Sequence, residues 1–390
     1  MVAAFTESLR THDFSGLQLE EMIEIIKSEI RDEYLQDHSH PWVIGYSGGK
    51  DSTLVVHLVF EVLMDLPRSQ RRREVHIVSN DTLVESPLVI GHIKESLERI
   101  SDAAVVLRLP VVTSITTPNL DHTFWVNLIG RGYPSPNRTF RWCTDRMKIQ
   151  PTSAYIKSKI EESKNVILLL GVRRSESATR AASVRRYDNG ERLNRHNDLV
   201  GCEVFRPIVE LTTDDVWEYL AEHDAPWGGD HQKLIQLYRD ASGGECPIVT
   251  QKSDAPSCGS TSSRFGCWTC TVVDKDRSLE GFVDAGFAEF GPLLDFRDYL
   301  VAIRSDPNKR SARRRNGTIT ITDTGTFIPG PFTLETRHEI LDRLIDLQRN
   351  QPVDLISGEE IDRIRQIWSD EITASPKGER AVINTVKKVR

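Results

Sequence analysis

The chain has 390 residues, of which 38% are hydrophobic and 27% are charged, and its formal net charge is -7. This length suffices for one large α/β domain with an appended region, and the acidic balance argues against a surface that coats nucleic acid uniformly. No apolar run approaches the ~20 residues of a membrane span, and the amino terminus lacks a secretory signal, so we expect a cytoplasmic protein without a membrane partner.

Strand-like and helix-like segments alternate along most of the chain. Helical periodicity predicts helices near residues 17–33, 51–64, 87–100 and 152–162. Apolar and β-branched runs predict strands at residues 42–46, 74–79, 103–109, 165–170 and 200–205. This alternation predicts an α/β fold with a doubly wound, mostly parallel sheet, whose ligands bind at the carboxyl ends of the strands. Two later helices, at 334–349 and 358–370, indicate a small helical C-terminal region.

The most informative segment follows the first predicted strand. Residues 45–52 read Gly-Tyr-Ser-Gly-Gly-Lys-Asp-Ser and precede an apolar helix. Backbone N–H groups and a lysine at a helix amino terminus bind anionic phosphate, so this pattern predicts a nucleotide site. The order of residues fits neither a Walker loop nor a dinucleotide fingerprint. A plain glycine-rich turn is the alternative, which seven specified positions disfavour.

The segment resembles the PP-loop of ATP pyrophosphatases, a superfamily that includes PAPS reductases, ATP sulfurylases and tRNA thiolation enzymes. The resemblance implies an adenine nucleotide alpha hydrolase-like fold and cleavage of ATP between its α- and β-phosphates. Lys50 would neutralise charge on the leaving pyrophosphate, and Asp51 would hold Mg²⁺. The ATP contacts implied in this loop are Ser47, Gly48, Gly49, Lys50, Asp51 and Ser52.

Two further segments extend the resemblance. The turn after the second predicted strand carries Asp81 and Thr82, which match a family turn that contacts adenosine, with Glu85 as a nearby acid. The next segment resembles the family pattern G-x-R-x-x-E-S-x-x-R, whose matching residues are Gly171, Arg173, Glu176 and Arg180. The two arginines offer planar guanidinium groups to phosphate oxygens, and Glu176 can hold one of them in place. The predicted catalytic residues are therefore Lys50, Asp51, Arg173 and Arg180.

A third segment, residues 207–220, resembles a family stretch P-I-x-x-W-T-x-x-D-V-W-x-Y-L, with Leu211 in place of the first Trp. We interpret it as architectural. Thr212 or Thr213 is expected to cap a helix, and Trp217 is given no catalytic role.

Six cysteines in a chain without an export signal favour metal or redox chemistry over structural disulfides. Cys267 and Cys270 form a C-x-x-C pair, which suits a zinc site, a thioredoxin-like site or a 4Fe-4S cluster. The superfamily resemblance implies a cluster ligand at Cys143, which precedes a K-x-x-P segment at 148–151. We favour the cluster, with zinc second, and its predicted ligands are Cys143, Cys258, Cys267 and Cys270. Cys246 can replace Cys258 or relay sulfur. Cys202 lies in a predicted buried strand and is expected to act as a small apolar residue.

Residues 263–279, Ser-Arg-Phe-Gly-Cys-Trp-Thr-Cys-Thr-Val-Val-Asp-Lys-Asp-Arg-Ser-Leu, narrow the resemblance. This run is similar to the signature of DndC-type proteins of bacterial DNA phosphorothioation, in which sulfur replaces a non-bridging oxygen of the DNA backbone; a single-strand relative is a variant of the same interpretation. The resemblance implies ATP-dependent activation of DNA, a cysteine desulfurase as sulfur donor, and partner subunits. It also implies a PP-loop ATP pyrophosphatase domain at 1–240, a cysteine-rich iron-sulfur segment at 241–290 packed on it, and a helical region at 291–390.

Two other functions compete with this one. A PAPS or APS reductase needs a thiol nucleophile, often in a C-terminal tail. Residues 382–390 contain no cysteine, which argues against this function. A nucleotide-sensing scaffold with a structural metal leaves many polar groups without a role. Contact with DNA phosphates is expected either from the basic run 309–315, which a solvated loop explains equally well, or from seven arginines, at positions 173, 174, 180, 185, 186, 192 and 195.

Overall fold

The computed structural model describes residues 14–374, except 177–180, 183–184, 187–189, 243–264, 316, 322–324 and 326. Arg180, Cys246 and Cys258, which the sequence singled out, lie outside the described residues. The chain divides into two compact units. The first comprises Met1–Asn80, Leu88–Thr116 and Thr152–Phe265, and the second comprises Asp81–Pro87, Thr117–Pro151 and Gly266–Arg390. The predicted division into three consecutive parts stays a prediction.

A six-stranded sheet forms the centre of the first unit. Its strands are β1 Trp42–Gly45, β2 Val75–Asn80, β3 Val111–Thr116, β4 Val166–Leu169, β5 Leu193–Arg195 and β6 Cys202–Phe205. Their order is β3-β2-β1-β4-β6-β5, and each neighbouring pair is parallel except β5 with β6. The predicted α/β fold with a mostly parallel sheet is confirmed.

Helices accompany these strands along the described part of the chain. They are α1 Leu19–Tyr34, α2 Lys50–Asp65, α3 Pro87–Leu107, α4 Gln150–Ser163, α5 Thr213–Glu222 and α6 Gln232–Ala241. Helix α2 is apolar on nearly all sides, and almost every residue from Ser52 to Leu63 is buried accordingly. Thr212 caps α5 by accepting a hydrogen bond from the Asp215 N–H, as the sequence predicted for Thr212 or Thr213.

The strand predicted at 103–109 is wrong. Most of these residues belong to the end of α3, and the strand β3 begins at Val111. Val105 and Val106 resemble strand residues, but they are 76% and 78% exposed. The buried residues continue the helical spacing of the preceding turns, at Ile93, Leu97, Ile100 and Ala104. Arg108, with a φ of 53°, follows the last helical residue.

The second unit is mainly helical. Its longer helices are α7 Arg277–Asp284, α8 Gly291–Arg304, α9 Leu334–Gln348 and α10 Gly358–Ala374, and two short antiparallel strands are β7 Thr320–Ile321 and β8 Phe327–Ile328. The predicted helical C-terminal region is confirmed. Within its core, the rings of Trp125, Trp268 and Phe296 pack with centroids about 6 Å apart. Among the described residues, no helix is long and apolar enough to cross a membrane.

A buried polar network joins α2, α5 and the residue before α6 in the first unit. His57 Nδ1 lies 3.1 Å from His231 Nε2, and His57 Nε2 lies 3.2 Å from a carboxylate oxygen of Glu61. The Tyr219 hydroxyl donates to the other Glu61 oxygen at 3.0 Å. Burial, together with the neighbouring His57, lowers the pKa of His231 to about 4. The network therefore holds His231 neutral in the folded protein.

We expect acidification to destabilise the protein through His231. The unfolded chain takes up a proton at the ordinary histidine pKa of about 6.5, whereas the folded chain does so near 4. The free energy of unfolding therefore falls as the pH drops from about 6.5 towards 4, with a contribution on the order of 2 kcal/mol lost between about pH 7 and pH 5. Urea unfolding of the parent and of His231→Gln at both pH values measures this loss. An equally steep loss in the variant contradicts the assignment to His231.

Candidate nucleotide site and cysteine cluster

The predicted nucleotide loop connects β1 to α2 in the first unit. Gly48 has a φ of 69°, and a Cβ atom there would lie 2.5 Å from Ile93 Cγ1, so the position requires glycine. Gly49 is the N-cap of α2 and provides no side-chain cap for the helix. The backbone thus brings the start of α2, whose first N–H groups favour anions, to the end of β1.

Two serine hydroxyl groups fix the shape of this loop. Ser47 Oγ and Ser52 Oγ are 3.1 Å apart, and the Ser47 N–H donates to Ser52 Oγ at 3.2 Å. Ser52 Oγ also donates to the Gly49 carbonyl at 3.0 Å. The two predicted serines are therefore brought together, and hydrogen bonds within the loop hold their hydroxyl groups at the start of α2.

The segment after β4 lies against the start of α2. A Cβ atom on Gly171 would lie 2.7 Å from the Asp51 carbonyl oxygen and 2.9 Å from the Ser52 nitrogen. Strands β1 and β4 are neighbours, whereas β2 and β3 continue on the other side of β1, so the strand order reverses between β1 and β4. Ligands of open α/β sheets bind at such a switch point. Gly171 and the nucleotide loop are therefore where the fold itself predicts a ligand.

A charged triad lies at this point. Asp51 Oδ2 is 3.0 Å from Lys50 Nζ, and Asp51 Oδ1 accepts a hydrogen bond of 2.6 Å from Arg173 Nε. Arg173 is only 1% exposed. Its other donors reach Ser175 Oγ at 2.8 Å, the Leu211 carbonyl at 3.4 Å and Thr213 Oγ1 at 3.1 Å. The buried guanidinium group is thus held by protein acceptors and orients Asp51; its predicted contact with phosphate stays a prediction.

The other predicted residues are distributed as follows. Glu176 lies in a short helix, Arg174–Glu176, just after this triad. In the arginine-rich segment, Arg174 pairs with Glu210 at 2.8 Å and Arg192 pairs with Glu33 at 3.4 Å, so these two side chains have internal partners. Asp81 and Thr82 belong to the second unit, and their proposed contact with adenosine stays a prediction.

Tyr238 in α6 contacts the predicted nucleotide loop, and the sequence did not reveal this contact. Its hydroxyl oxygen accepts a hydrogen bond of 3.4 Å from the Lys50 N–H, and its ring centroid lies 5.7 Å from Lys50 Nζ. The two residues are 188 positions apart in the chain. No local motif links positions so distant, and only the fold brings them together.

We expect Gly171→Ala to disrupt the start of α2. The added methyl group has backbone atoms as its nearest neighbours, which cannot rotate away, so we expect a loss of about 1–3 kcal/mol in the free energy of unfolding. Gly91→Ala is the matched control, because Gly91 lies within α3 with open space around it and alanine there should stabilise the helix by about 0.5–1 kcal/mol. Urea unfolding compares the two. Equal stabilities would show that the close approach is not rigid.

The C-x-x-C segment in the second unit folds as a tight turn. Cys267 pairs with Glu85 in an antiparallel bridge, and the Trp268 N–H donates to the Val84 carbonyl at 3.0 Å. The Cys270 N–H donates to the Cys267 carbonyl at 3.0 Å, which closes the turn. Residues far apart in the chain therefore fix the first cysteine of the pair.

Polar and charged groups surround the Cys267 sulfur. It lies 3.3 Å from Thr82 Oγ1 and 3.6 Å from Glu85 Oε1, and Lys148 Nζ is 3.3 Å from the same Glu85 oxygen. Burial, with the negative charge of Glu85, raises the pKa of the Cys267 thiol above its ordinary value. The thiol is therefore neutral unless a cation binds it.

Cys143 immediately precedes the short helix Thr144–Ile149, which carries Lys148. Burial and the neighbouring Cys270 sulfur raise the pKa of the Cys143 thiol, and Cys270 also acts on Cys267. Cys270 thus acts electrostatically on two of the other predicted ligands. The fourth, Cys258, lies outside the described residues, as does Cys246.

The arrangement of these thiols can be compared with the ligand geometry that zinc and an iron-sulfur cluster require. Within the described ranges, no three His, Cys, Asp or Glu side chains converge closely enough to hold one metal ion. A zinc ion requires four donors around a single centre, whereas each iron of a 4Fe-4S cluster takes its own thiolate. The choice between the cluster and zinc therefore stays a prediction.

Two arginines of α8 hold the residues around the cysteine pair. Arg297, 2% exposed, donates from Nε to the Cys270 carbonyl at 3.0 Å and from its other nitrogens to the carbonyls of Val273 and Asp274. Arg304 Nη1 donates to the Thr271 carbonyl at 2.8 Å. The sequence did not predict these contacts, because neither arginine lies in a recognisable motif.

The chain matches the phosphoadenosine phosphosulfate reductase domain over residues 41–273, which is more than half of its length. It belongs to this family. The matched range includes the nucleotide loop, the Gly171–Arg173 segment and the C-x-x-C pair. This family membership confirms the general resemblance to PAPS reductase-like proteins.

More distant similarities accompany this match. An uncharacterized protein of Methanocaldococcus jannaschii is 25% identical over 193 residues, which cover 50% of this chain and 34% of that protein. The chain thus spans about a third of the length of that relative. Solved structures include a phosphoadenylyl-sulfate reductase from Candida auris in a phosphate complex, with a TM-score of 0.33 and 10% identity, covering 57% of this chain and 92% of that one.

A second solved structure is the U34-tRNA thiolase NcsA from Methanococcus maripaludis with its 4Fe-4S cluster. Its TM-score is 0.35 at 14% identity, covering 73% of this chain and 80% of that one. A third is an NH3-dependent NAD synthetase from Campylobacter jejuni, with a TM-score of 0.34 and 16% identity, covering 56% and 77%. The family assignment rests on the sequence match and not on these superpositions.

Proposed function

We propose that this protein is an ATP pyrophosphatase that activates the DNA backbone and transfers sulfur to it, as in DNA phosphorothioate modification. One observation carries the ATP half of the proposal: the Lys50–Asp51 pair at the amino end of α2, located where the strand order reverses. The neighbouring thiols of Cys143, Cys267 and Cys270 support the sulfur half. The choice of DNA as acceptor rests on the similarity of residues 263–279 to the DndC-type signature.

The proposed reaction has two steps, because a phosphodiester oxygen is a poor leaving group. First, a non-bridging oxygen of a DNA phosphate attacks the α-phosphorus of ATP, and the bond to the β-phosphate breaks with its electron pair leaving on pyrophosphate. The Lys50 ammonium group and the first N–H groups of α2 stabilise the charge of the departing pyrophosphate. Second, hydrosulfide, which a thiol reductant releases from the persulfide of the sulfur donor, attacks the activated DNA phosphorus. The P–S bond forms, the bond to AMP breaks with its electron pair leaving on AMP, and the sulfur proton passes to water.

The Asp51 carboxylate suits Mg²⁺, which prefers oxygen ligands and neutralises phosphate charge. Arg173 keeps that carboxylate oriented, so the metal-binding oxygen does not have to be ordered when the substrate arrives. Arg180 and Glu176 remain candidates for contact with the phosphates. Asp81 and Thr82 remain candidates for contact with adenosine.

A 4Fe-4S cluster held by Cys143, Cys267, Cys270 and Cys258, with Cys246 as the alternative fourth ligand, would supply a site for handling sulfur or electrons. Cys267 is fixed by its pairing with Glu85, and Arg297 fixes the carbonyl of Cys270. The chain itself therefore positions these two thiols before any ligand binds. We propose a cysteine desulfurase as the sulfur donor.

Exposed arginines support contact with DNA. In the run 309–315, Lys309 pairs with Glu339, and Arg310 donates to the carbonyls of residues 304, 329 and 330. These two side chains are used within the second unit. Arg313, Arg314 and Arg315 are exposed, although Arg313 also donates to the Gly317 carbonyl at 3.0 Å and Arg315 lies 3.7 Å from Glu371. Phosphates of DNA would meet the latter part of the run. With a net charge of -7, the protein is proposed to need partner subunits for tight binding.

A PAPS or APS reductase is the second candidate, and membership of the phosphoadenosine phosphosulfate reductase family favours it. Such an enzyme releases sulfite from an adenylylated sulfate and does not require DNA. Sulfite release in the absence of DNA would therefore favour the second candidate over the first.

We expect Lys50→Ala to reduce pyrophosphate release from ATP by about 100-fold or more, because it removes the charge that stabilises the leaving group. Lys233→Ala is the matched control, since this lysine of α6 lies in the same unit and is 67% exposed. The assay measures pyrophosphate from ATP with and without duplex DNA, and sulfite from PAPS. The proposal requires release that depends on DNA.

Two results contradict this proposal. Unchanged turnover in Lys50→Ala removes the assignment of the phosphate site, provided that the variant unfolds at the same urea concentration as the parent. Sulfite release from PAPS without pyrophosphate release from ATP replaces the first candidate with the second.

We expect Cys267→Ser and Cys270→Ser to abolish an absorbance at about 400 nm in anaerobically purified protein, because each removes a cluster thiolate. Cys202→Ser is the control, since Cys202 is buried in strand β6 and should leave this absorbance unchanged. Iron and sulfide quantitation accompanies the spectra. A colourless protein that contains one tightly bound zinc ion would reverse the choice between cluster and zinc.

A further inference from the structure

The Tyr238 hydroxyl lies at the start of α2, where the proposed function requires a phosphate. Its oxygen accepts the hydrogen bond of the Lys50 N–H at 3.4 Å, a donor that an entering phosphate would use. A Cβ atom on Gly49 would lie 3.1 Å from the same oxygen, so the hydroxyl group lies directly over the glycine turn. The side chain therefore belongs to the lining of the proposed phosphate site.

We propose that Tyr238 is a further catalytic residue, whose hydroxyl group donates a hydrogen bond to the β- or γ-phosphate of ATP and to the departing pyrophosphate. The inference rests on the proposed function, whose nucleotide site it deepens. In the exchange, a phosphate oxygen accepts the Lys50 N–H in place of the tyrosine oxygen, and the tyrosine O–H turns to that phosphate oxygen. The original bond is long, so its exchange costs little.

The electrostatic surroundings of the Tyr238 hydroxyl suit a hydrogen-bond donor. Burial, and then the negative charge of Asp51, raise the pKa of the Tyr238 phenol above its ordinary value. The group is therefore a neutral phenol at physiological pH and keeps the proton that it donates. A neutral donor adds no negative charge beside a polyphosphate.

Packing keeps the ring in place. The Tyr238 centroid lies 4.9 Å from that of Trp217 and 4.4 Å from that of Phe265. The side of α6 that carries Leu234, Ile235, Leu237 and Ala241 is buried. A donor fixed before the substrate binds loses little entropy when it acts, which is the condition for strong stabilisation of a developing charge.

Tyr238→Phe tests the proposal, because it retains the ring and removes the hydroxyl group. Loss of a hydrogen bond to a charged group predicts about 10- to 100-fold weaker binding of inorganic pyrophosphate and a similar fall in kcat/KM for ATP. Tyr219→Phe is the matched control, since it removes another hydroxyl group from the same unit, one that donates to Glu61. Calorimetric titration with pyrophosphate and Mg²⁺ is carried out on the full chain, alongside the turnover assay.

The results separate this inference from the proposed function. If pyrophosphate binds more weakly to Tyr238→Phe but not to Tyr219→Phe, the role of Tyr238 is supported. If, in addition, neither the parent nor any variant turns over ATP, the proposed function fails while the role of Tyr238 in binding stands. Pyrophosphate binding that is equal in the parent and Tyr238→Phe overturns the inference, as does equal weakening in both tyrosine variants. Absence of pyrophosphate binding by the parent overturns both.

Discussion

The candidate nucleotide site depends on one close approach, between the backbone after β4 and the first turn of α2. Because Gly171 has no side chain, its backbone can lie against Asp51 and Ser52. This proximity places Arg173 where its Nε reaches the Asp51 carboxylate. The acidic group beside Lys50 is therefore oriented by a residue from the other side of the switch point, and the loop geometry follows from the order of strands in the sheet.

In both units, a buried arginine holds an irregular segment in place through hydrogen bonds. Arg173 donates to a carboxylate, to hydroxyl groups and to the Leu211 carbonyl, and Arg297 donates to the carbonyls after the C-x-x-C turn. Carbonyl groups in irregular segments have no strand or helix partner, and a buried one without a hydrogen bond is costly. A guanidinium group satisfies several such acceptors at once. In both units, the same chemistry allows an irregular segment to keep a single conformation.

The sequence predicted much of this architecture where the signal was local. The strand–loop–helix pattern around Lys50 and the apolar α2 are properties of adjacent residues, and both are present. The strand predicted at 103–109 failed because β-branched residues on the exposed side of α3 have the composition of a strand. Tyr238 and Arg297 were missed because their contacts depend on the fold, and no spacing rule connects them to the motifs that they serve.

The contact between Tyr238 and Phe265 has a consequence for the chain around it. Helix α6 ends at Ala241, and Phe265 is the first described residue after the segment 243–264. One aromatic contact thus anchors the chain on both sides of the segment that contains Cys246 and Cys258. A substitution that removes the Tyr238 ring would therefore loosen the chain both before and after this segment.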